Sequence, residues 1–143
     1  MNTVVKSFDE LDRDGLYEIL RLRASVFVVE QKCPYQDLDG LDKDSLHVWV
    51  CDDEGIKAYL RIYADGDVAH IGRVLAVERR RGLGSLVLEE GIRVAKERLG
   101  TKSISVEAQT YAEELYTKHG FVRVSEEFLL DGIPHVTMEL RLK

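Results

Sequence analysis

Cysteine and proline are scarce in this chain, with two residues of each type among 143. Cys33 and Cys51 belong to no CxxC pair and no cysteine-rich framework, so we interpret both as free thiols of a reducing compartment. No run of 18 apolar residues occurs, and the first 14 residues lack an apolar segment of signal-peptide length. We therefore expect a cytoplasmic protein that has no membrane partner.

The chain has no excess of positive charge, since 26 Asp and Glu residues outnumber 20 Lys and Arg residues and the formal net charge is −6. A broad nucleic-acid surface needs Lys and Arg clustered on one face, so no nucleic-acid partner is expected. The exception is local, because Arg79, Arg80 and Arg81 are consecutive and Arg73 is close in sequence. Such a compact basic point suits a small anion better than a polymer.

The size and composition fit one folded domain. Hydrophobic residues make up 45% of the 143 positions, which is enough to build a single core without a stabilising metal or disulfide. No internal repeat, low-complexity tract or flexible linker divides the sequence. We expect one domain over residues 1–143.

Apolar periodicity predicts helices and strands in an order typical of an α+β protein. The predicted helices are 15–29, with Asp14 as N-cap, then 83–99, ended by Gly100, and a short helix over 112–119. The predicted strands are 47–52 and 56–64, which form an antiparallel hairpin, and 68–77, 103–108, 121–129 and 135–141. Hairpin and crossover connections both occur, so a doubly wound parallel sheet is not expected.

The segment 75–85 is the most informative stretch, because a strand runs into a glycine turn that opens a helix. The first amides of a helix lack intrahelical partners and lie at the positive end of its dipole, so they form an anion site. At Gly82 and Gly84 the missing Cβ lets the backbone approach a diphosphate closely. Neither a P-loop nor a dinucleotide fingerprint fits, since no lysine follows Gly84 and Val87 replaces the third glycine.

Two motifs carry a family resemblance. Arg79-x-x-Gly82-x-Gly84 resembles the coenzyme A motif of the GNAT superfamily of N-acetyltransferases. The block 109–121 resembles the later motif of that superfamily, with Gln109 where the family usually has Asn. The segments 26–35 and 131–135 are similar to a narrower group, the ElaA-like branch, so the resemblance spans nearly the whole chain.

The resemblance implies a fold, a reaction and a co-substrate. The expected fold is α+β, with a mixed, mostly antiparallel central sheet flanked by helices and strands that splay around the acyl-CoA site. The expected reaction is transfer of an acetyl group from acetyl-CoA to a primary amine by direct attack in a ternary complex, without a metal. The residues implied in coenzyme binding are Leu75, Ala76, Val77, Arg79, Arg80, Arg81, Gly82, Leu83, Gly84, Ser85 and Gln109.

Two residues are the candidates for proton transfer. The amine must lose a proton to attack, and Glu107, on the same strand face as Gln109, is the candidate base. Tyr116 occupies the position of the family's acid tyrosine, which protonates the leaving thiolate. Each also has a structural interpretation, as a solvated carboxylate and as a residue packed against the sheet.

The acceptor pocket is expected where the branch resemblance lies outside the coenzyme motif. Its candidates are Glu30, Gln31, Tyr35, Arg73 and His135, although a lone histidine is more often a structural hydrogen-bonding residue. The nearby acidic run is interpreted as a solvated turn, because its spacing matches no calcium loop. That run consists of Asp37, Asp39, Asp42 and Asp44.

Other functions remain open from the sequence. The chain could be a non-catalytic acyl-CoA-binding or regulatory domain, or an interaction protein whose arginine cluster binds another protein. Tyr116 and the Gln109 block disfavour the first, and the placement of Gly82 and Gly84 disfavours the second. The sequence fixes neither the acceptor, a small-molecule or peptide amine, nor the acyl chain length, and a homodimer is one open arrangement.

Overall fold

The computed structural model describes residues 1–78 and 82–143. The strands are β1 (Asn2–Ser7), β2 (Leu46–Asp52), β3 (Gly55–Asp65), β4 (Val68–Ala76), β5 (Ser103–Gln109), β6 (Val122–Arg123), β7 (Phe128–Leu130) and β8 (Ile133–Arg141). The helices are α1 (Arg13–Arg23), which continues as a π-helical segment Ala24–Glu30, then α2 (Leu83–Val94), which continues as a π-helical segment Ala95–Leu99, and α3 (Glu113–Lys118). Short 3-10 turns span Phe8–Glu10, Leu41–Asp44 and Thr110–Ala112.

The described strands form one mixed sheet in the order β1-β2-β3-β4-β5-β8-β6, with β7 paired to β8. The pair β4–β5 is parallel and the other described pairs are antiparallel. The predicted α+β class with a mostly antiparallel sheet is confirmed, and so is the β2–β3 hairpin. None of the described helices has the length and apolar character needed to cross a membrane.

Several predicted boundaries were wrong. The edge strand β1 was missed, and Asp12 rather than Asp14 caps α1, since its carboxylate accepts a hydrogen bond from the Gly15 amide at 2.7 Å. The strand predicted over 121–129 is two short strands, β6 and β7, separated by four residues. Exposed positions dominate both pieces, so burial on one face does not enforce a continuous ladder.

Helices cover both faces of the sheet. On one face α2 packs on β3, where a Cβ at Gly91 would lie 3.0 Å from a methyl carbon of Leu60, so glycine permits the close approach. On the other face α1 and its π-helical continuation bury Ile19 and Phe27 with Tyr59 of β3. This second face continues past the helix as an open cleft.

The sheet divides between β4 and β5. Their parallel ladder runs from the pair Val68–Ser103 to the pair Ile71–Val106 and ends there. Beyond that point β4 remains paired with β3, and β5 remains paired with β8. The five residues 72–76 therefore have no ladder partner on the β5 side among the described residues.

A bulge lies immediately after the last β4–β5 pair. Tyr59 faces Leu75 and Arg61 faces Gly72, so two residues of β4 oppose the single residue between Tyr59 and Arg61. Arg73, inside the bulge, has a left-handed φ of 54°. A bulge of this kind bends its strand and increases the local twist, which directs β4 away from β5.

Candidate active site

An open cleft of about 370 Å³ lies on the face that α1 leaves uncovered. Its walls come from β3, β4, β5, the end of the π-helical segment 24–30, the irregular segment after it, and the β7–β8 turn. The turn contacts the opposite wall, since Cys33 Sγ lies 3.4 Å from the carbonyl oxygen of Asp131. The cleft thus connects the split between β4 and β5 with a polar chamber.

Strand alternation places the predicted base in this cleft. Ser105, Glu107 and Gln109 share one face of β5 and line the cleft, whereas Val106 and Ala108 on the opposite face are buried in the core. Glu107 itself is exposed. The expectation that Glu107 and Gln109 share a strand face agrees with this geometry.

Tyr116 reaches the same cleft from α3. Its side chain is 5% exposed and packs edge-on against Phe121, with ring centroids 5.7 Å apart. Burial raises the pKa of the Tyr116 phenol, so the hydroxyl stays protonated at neutral pH. Within residues 1–78 and 82–143 this hydroxyl has no hydrogen-bond partner, so it remains available to a ligand.

Four of the five predicted acceptor residues line the cleft: Gln31, Tyr35, Arg73 and His135. The side-chain amides of Gln31 and Gln109 are hydrogen-bonded at 3.3 Å, which joins the end of the π-helical segment 24–30 to the end of β5. His135 is buried, and its Nδ1 donates to the Ile133 carbonyl at 2.6 Å. The fifth predicted residue, Glu30, is exposed and does not line the cleft.

The glycine turn has the geometry of an anion site. Gly82 has a φ of 71° and caps α2, and the Leu86 amide donates to the Gly82 carbonyl at 3.1 Å. The amides of residues 83–85 therefore precede the first intrahelical bond of α2. The Ser85 hydroxyl lies 3.2 Å from Nε2 of His119, which brings an imidazole beside the turn.

The remaining predicted coenzyme residues fall in two groups. Leu75 and Ala76 belong to the part of β4 that is separated from β5, and Val77 follows it, with its amide bonded to the Lys57 carbonyl at 2.9 Å. Arg79, Arg80 and Arg81 lie outside the described residues. The turn therefore contributes backbone amides and the strand end contributes an unpaired backbone edge.

The acidic run is not a solvated turn, and that interpretation was wrong for three of its four members. Asp37, Asp39 and Asp42 form ion pairs with Arg23, Arg61 and Arg73, and we call these six residues the charged network. Its three carboxylates balance its three guanidinium groups. Burial favours protonated Asp39, but hydrogen bonds from Arg61 and the Leu41 amide outweigh that effect and lower its pKa to about 2.

His47 is hydrogen-bonded to Asp42 of the charged network. It is fully buried, with Nε2 2.9 Å from the Asp42 carbonyl and Nδ1 2.7 Å from the Tyr59 hydroxyl. A carbonyl only accepts hydrogen bonds, so Nε2 carries the proton and the Tyr59 hydroxyl donates to Nδ1. The imidazole is therefore neutral, and burial lowers the pKa of His47.

Protonation of His47 should destabilise the fold. Because the pKa of His47 is lower in the folded than in the unfolded chain, the unfolded state takes up a proton first as the pH falls below about 6.5. We expect the free energy of unfolding, measured with urea, to decrease from about pH 7.5 to about pH 5.5, above the range where carboxylates titrate. A His47→Gln variant should show a smaller decrease, and an equal decrease would contradict this assignment.

Several site residues were not anticipated as such. His70 lines the cleft two residues before Gly72, on the same face of β4, and stacks on Tyr63 with ring centroids 5.1 Å apart. Because residues two apart in a strand share a face, the position of His70 relative to Gly72 was the signal that could have identified it. Arg61 was equally detectable, because it lies between Leu60 and Ile62 in the middle of β3, where a buried charge requires a partner.

Comparisons with known proteins agree with this architecture. The model of the acetyltransferase (GNAT) domain family matches residues 12–142. A Mycobacterium tuberculosis protein is 41% identical over 136 residues, which cover 90% of this chain and 86% of the relative. The ElaA protein of Escherichia coli K12 is 37% identical over 136 residues, covering 90% of this chain and 89% of ElaA.

Solved structures give the same result. An acyl-CoA N-acyltransferase from Pseudomonas aeruginosa superposes with a TM-score of 0.88 at 36% identity, covering 97% of this chain and 99% of that one. The E. coli ElaA structure superposes with a TM-score of 0.89 at 32% identity, covering 96% and 97%. The fold and the matching family define an acyltransferase. The chain belongs to the GNAT acetyltransferase family, in its ElaA-like branch.

Proposed function

We propose that this protein is an N-acetyltransferase that moves an acetyl group from acetyl-CoA to a primary amine in a ternary complex. The split between β4 and β5 is the observation that carries the proposal, because it lies between the glycine turn and a cleft lined by Tyr116 and Glu107. The family supports acyl transfer, and the acyl donor and the amine acceptor are the parts proposed here.

The residues present fit a coenzyme A thioester. The amides of residues 83–85, which precede the first intrahelical bond of α2, suit a diphosphate. The unpaired edge of residues 72–76 suits an amide-containing arm, which would add to β4 in the manner of an extra strand. This arrangement directs the thioester end of the arm toward Tyr116 and the cleft.

The cleft residues then handle two protons. Bound acetyl-CoA supplies an activated acyl group, and the amine nitrogen forms a bond to its carbonyl carbon as the carbon–sulfur bond breaks. A lysine-like amine with a pKa near ~10.4 is protonated at pH 7, which costs roughly 4.6 kcal/mol without assistance. Glu107, or His70 as the alternative base, takes the amine proton, and the Tyr116 hydroxyl gives its proton to the leaving thiolate.

The choice between Glu107 and His70 has a direct test. Glu107→Gln and His70→Gln both preserve polarity and remove a proton acceptor, and the variant of the true base should lose about 100-fold or more in kcat. The coenzyme affinity of both variants should stay near the wild-type value, since neither residue lies in the glycine turn. Equal and small losses in both variants would exclude both residues as the base.

The coenzyme site is tested by thermal unfolding with and without acetyl-CoA. A ligand at 100 times its dissociation constant should stabilise the folded protein by ~2.7 kcal/mol. In Gly84→Glu the shift should disappear, because the new carboxylate would repel the diphosphate at the first turn of α2. The matched control is Tyr17→Glu, which adds the same charge at a side chain 72% exposed on α1 and should retain the full shift.

The thermal shifts, together with an assay for release of free thiol, separate the rival functions. A shift in the wild type and in Tyr17→Glu, but not in Gly84→Glu, supports coenzyme binding at the turn. A non-catalytic acyl-CoA-binding domain would give the same shifts but no release of free thiol with any amine acceptor. No shift in the folded wild type would contradict the proposed function.

A further inference from the structure

The bulge in β4 places a bulky residue in an unfavourable backbone conformation. Arg73 has a φ of 54°, and outside glycine this region is populated by few residues, mainly Asn and Asp. Arginine has neither the backbone freedom of glycine nor the short polar side chain of those residues. The left-handed conformation of Arg73 therefore requires stabilising contacts with the surrounding structure.

Asp37 supplies most of those contacts. The Arg73 Nε donates to Oδ1 of Asp37 at 2.8 Å, and Nη2 donates to the Asp37 carbonyl at 3.0 Å. A longer bond of 3.3 Å joins Nη2 to Asp39, and the guanidinium lies 5.4 Å from the ring centre of Tyr35. Asp37 thus accepts both short bonds, one through its side-chain carboxylate and one through its backbone carbonyl.

Asp37 is itself fixed to the body of the protein. Its Oδ2 accepts a bond from Nε of Arg23 at 3.0 Å, and its Oδ1 accepts one from the Tyr35 hydroxyl at 2.7 Å. The side chain of Arg23 is fully buried at the end of α1. Asp37 therefore connects a rigid helix to the bulge of β4 through two charged hydrogen-bonding partners.

We propose that Asp37 is a positioning residue, which holds the left-handed bulge at Arg73 and thereby keeps β4 separated from β5. The inference rests on the proposed function, because the separated edge is where the acyl-CoA arm is expected. Without the hydrogen bonds to Asp37, Arg73 relaxes toward an extended conformation, and the register of β4 beyond Gly72 moves by one residue. That movement alters the backbone edge of residues 74–76 although Asp37 does not contact the coenzyme.

The charged network offers a matched control for this proposal. Asp42 binds Arg23 at 2.6 Å and Arg61 at 3.1 Å, whereas the ion pairs of Arg73 are with Asp37 and Asp39. Asp37→Asn and Asp42→Asn remove one carboxylate each from the same network, and both should lower the free energy of unfolding. Asp37→Asn alone should raise the dissociation constant for coenzyme A, by about tenfold, measured by calorimetry.

An Arg73→Gly variant tests whether Asp37 affects coenzyme affinity through Arg73. Glycine adopts a positive φ without strain, so Arg73→Gly keeps the bulge without help from Asp37. Coenzyme affinity in Arg73→Gly should stay within about twofold of the wild type, and adding Asp37→Asn should change it no further. An equal loss of affinity from Asp37→Asn in both backgrounds would overturn the proposal.

Hydrogen exchange in the free protein separates this proposal from the proposed function. The exchange rates of the amides of residues 72–76 should change in Asp37→Asn and stay at the wild-type values in Asp42→Asn, each compared at equal global stability adjusted with urea. This readout needs no coenzyme, so it holds even if acetyl-CoA proves not to be the donor. Equal exchange in the two variants would overturn the positioning role of Asp37, whatever the coenzyme measurements give.

Discussion

Tyr116→Phe is expected to lower kcat by about 100-fold or more, with the affinity for acetyl-CoA within about twofold of the wild type. The substitution removes one hydroxyl and keeps the ring that packs on Phe121, so the core should be preserved. The leaving thiolate would then lack its proton donor. Release of free thiol at saturating substrates measures kcat, and calorimetry with coenzyme A measures binding.

Tyr111→Phe is the matched control for this prediction. Tyr111 lines the same cleft and its side chain is 71% exposed, so it loses the same hydroxyl from a solvated position. Its kcat should change by less than about threefold, because water replaces the lost group. Similar effects of the two substitutions, or wild-type turnover in Tyr116→Phe, would remove Tyr116 from the acid role.

Arg23→Leu is expected to lower the free energy of unfolding by about 3–5 kcal/mol. Asp37 and Asp42 would keep their negative charges in a largely buried site and lose a shared partner that is fully buried. Leucine fills most of the space left by the arginine stem, so the loss reports the charge rather than a cavity. Urea unfolding at neutral pH, with the m-value compared between variants, is the measurement.

Arg21→Leu provides the comparison on the same helix. Arg21 pairs with Glu18 at 2.5 Å, but both side chains are exposed, by 53% and 38%. An exposed pair contributes about 0–1 kcal/mol, so this variant should unfold at nearly the wild-type urea concentration. If Arg23→Leu were equally mild, the charged network would not be a structural element of the fold.

Local patterns were sufficient for most of the secondary structure. The β2–β3 hairpin follows from two alternating runs around Asp53, Glu54 and Gly55. The helix over 83–99 follows from apolar spacing and from the glycines before and after it. The position of Glu107 and Gln109 on one face of β5 follows from the period of a strand. These features depend on neighbours in sequence, so the sequence alone could predict them.

The charged network depends on partners that are distant in sequence. Asp37 lies 14 residues from Arg23 and 36 from Arg73, in a segment without periodicity. A run of aspartates in a turn region is usually solvated. Only the folded structure shows that three arginines form ion pairs with the aspartates of this run. The signal available was Arg23, a charged residue among the apolar positions of α1.

The acceptor side shows a second limit of sequence reasoning. Glu30 and Gln31 are adjacent and were predicted together, but Gln31 lines the cleft and Glu30 is exposed outside it. The helix winds as a π-helix over Ala24–Glu30, so its faces do not follow the spacing of an ordinary α-helix. Such winding leaves no pattern in the residues themselves.

The central claim is that the split between β4 and β5 receives the acyl-CoA arm, and a crystal structure with coenzyme A bound tests it most directly. We expect the diphosphate at the amides of residues 83–85, the arm hydrogen-bonded to the open backbone edge of residues 72–76, and the thiol beside Tyr116. Coenzyme A bound elsewhere, with the edge of residues 72–76 left empty or closed by β5, would contradict the claim.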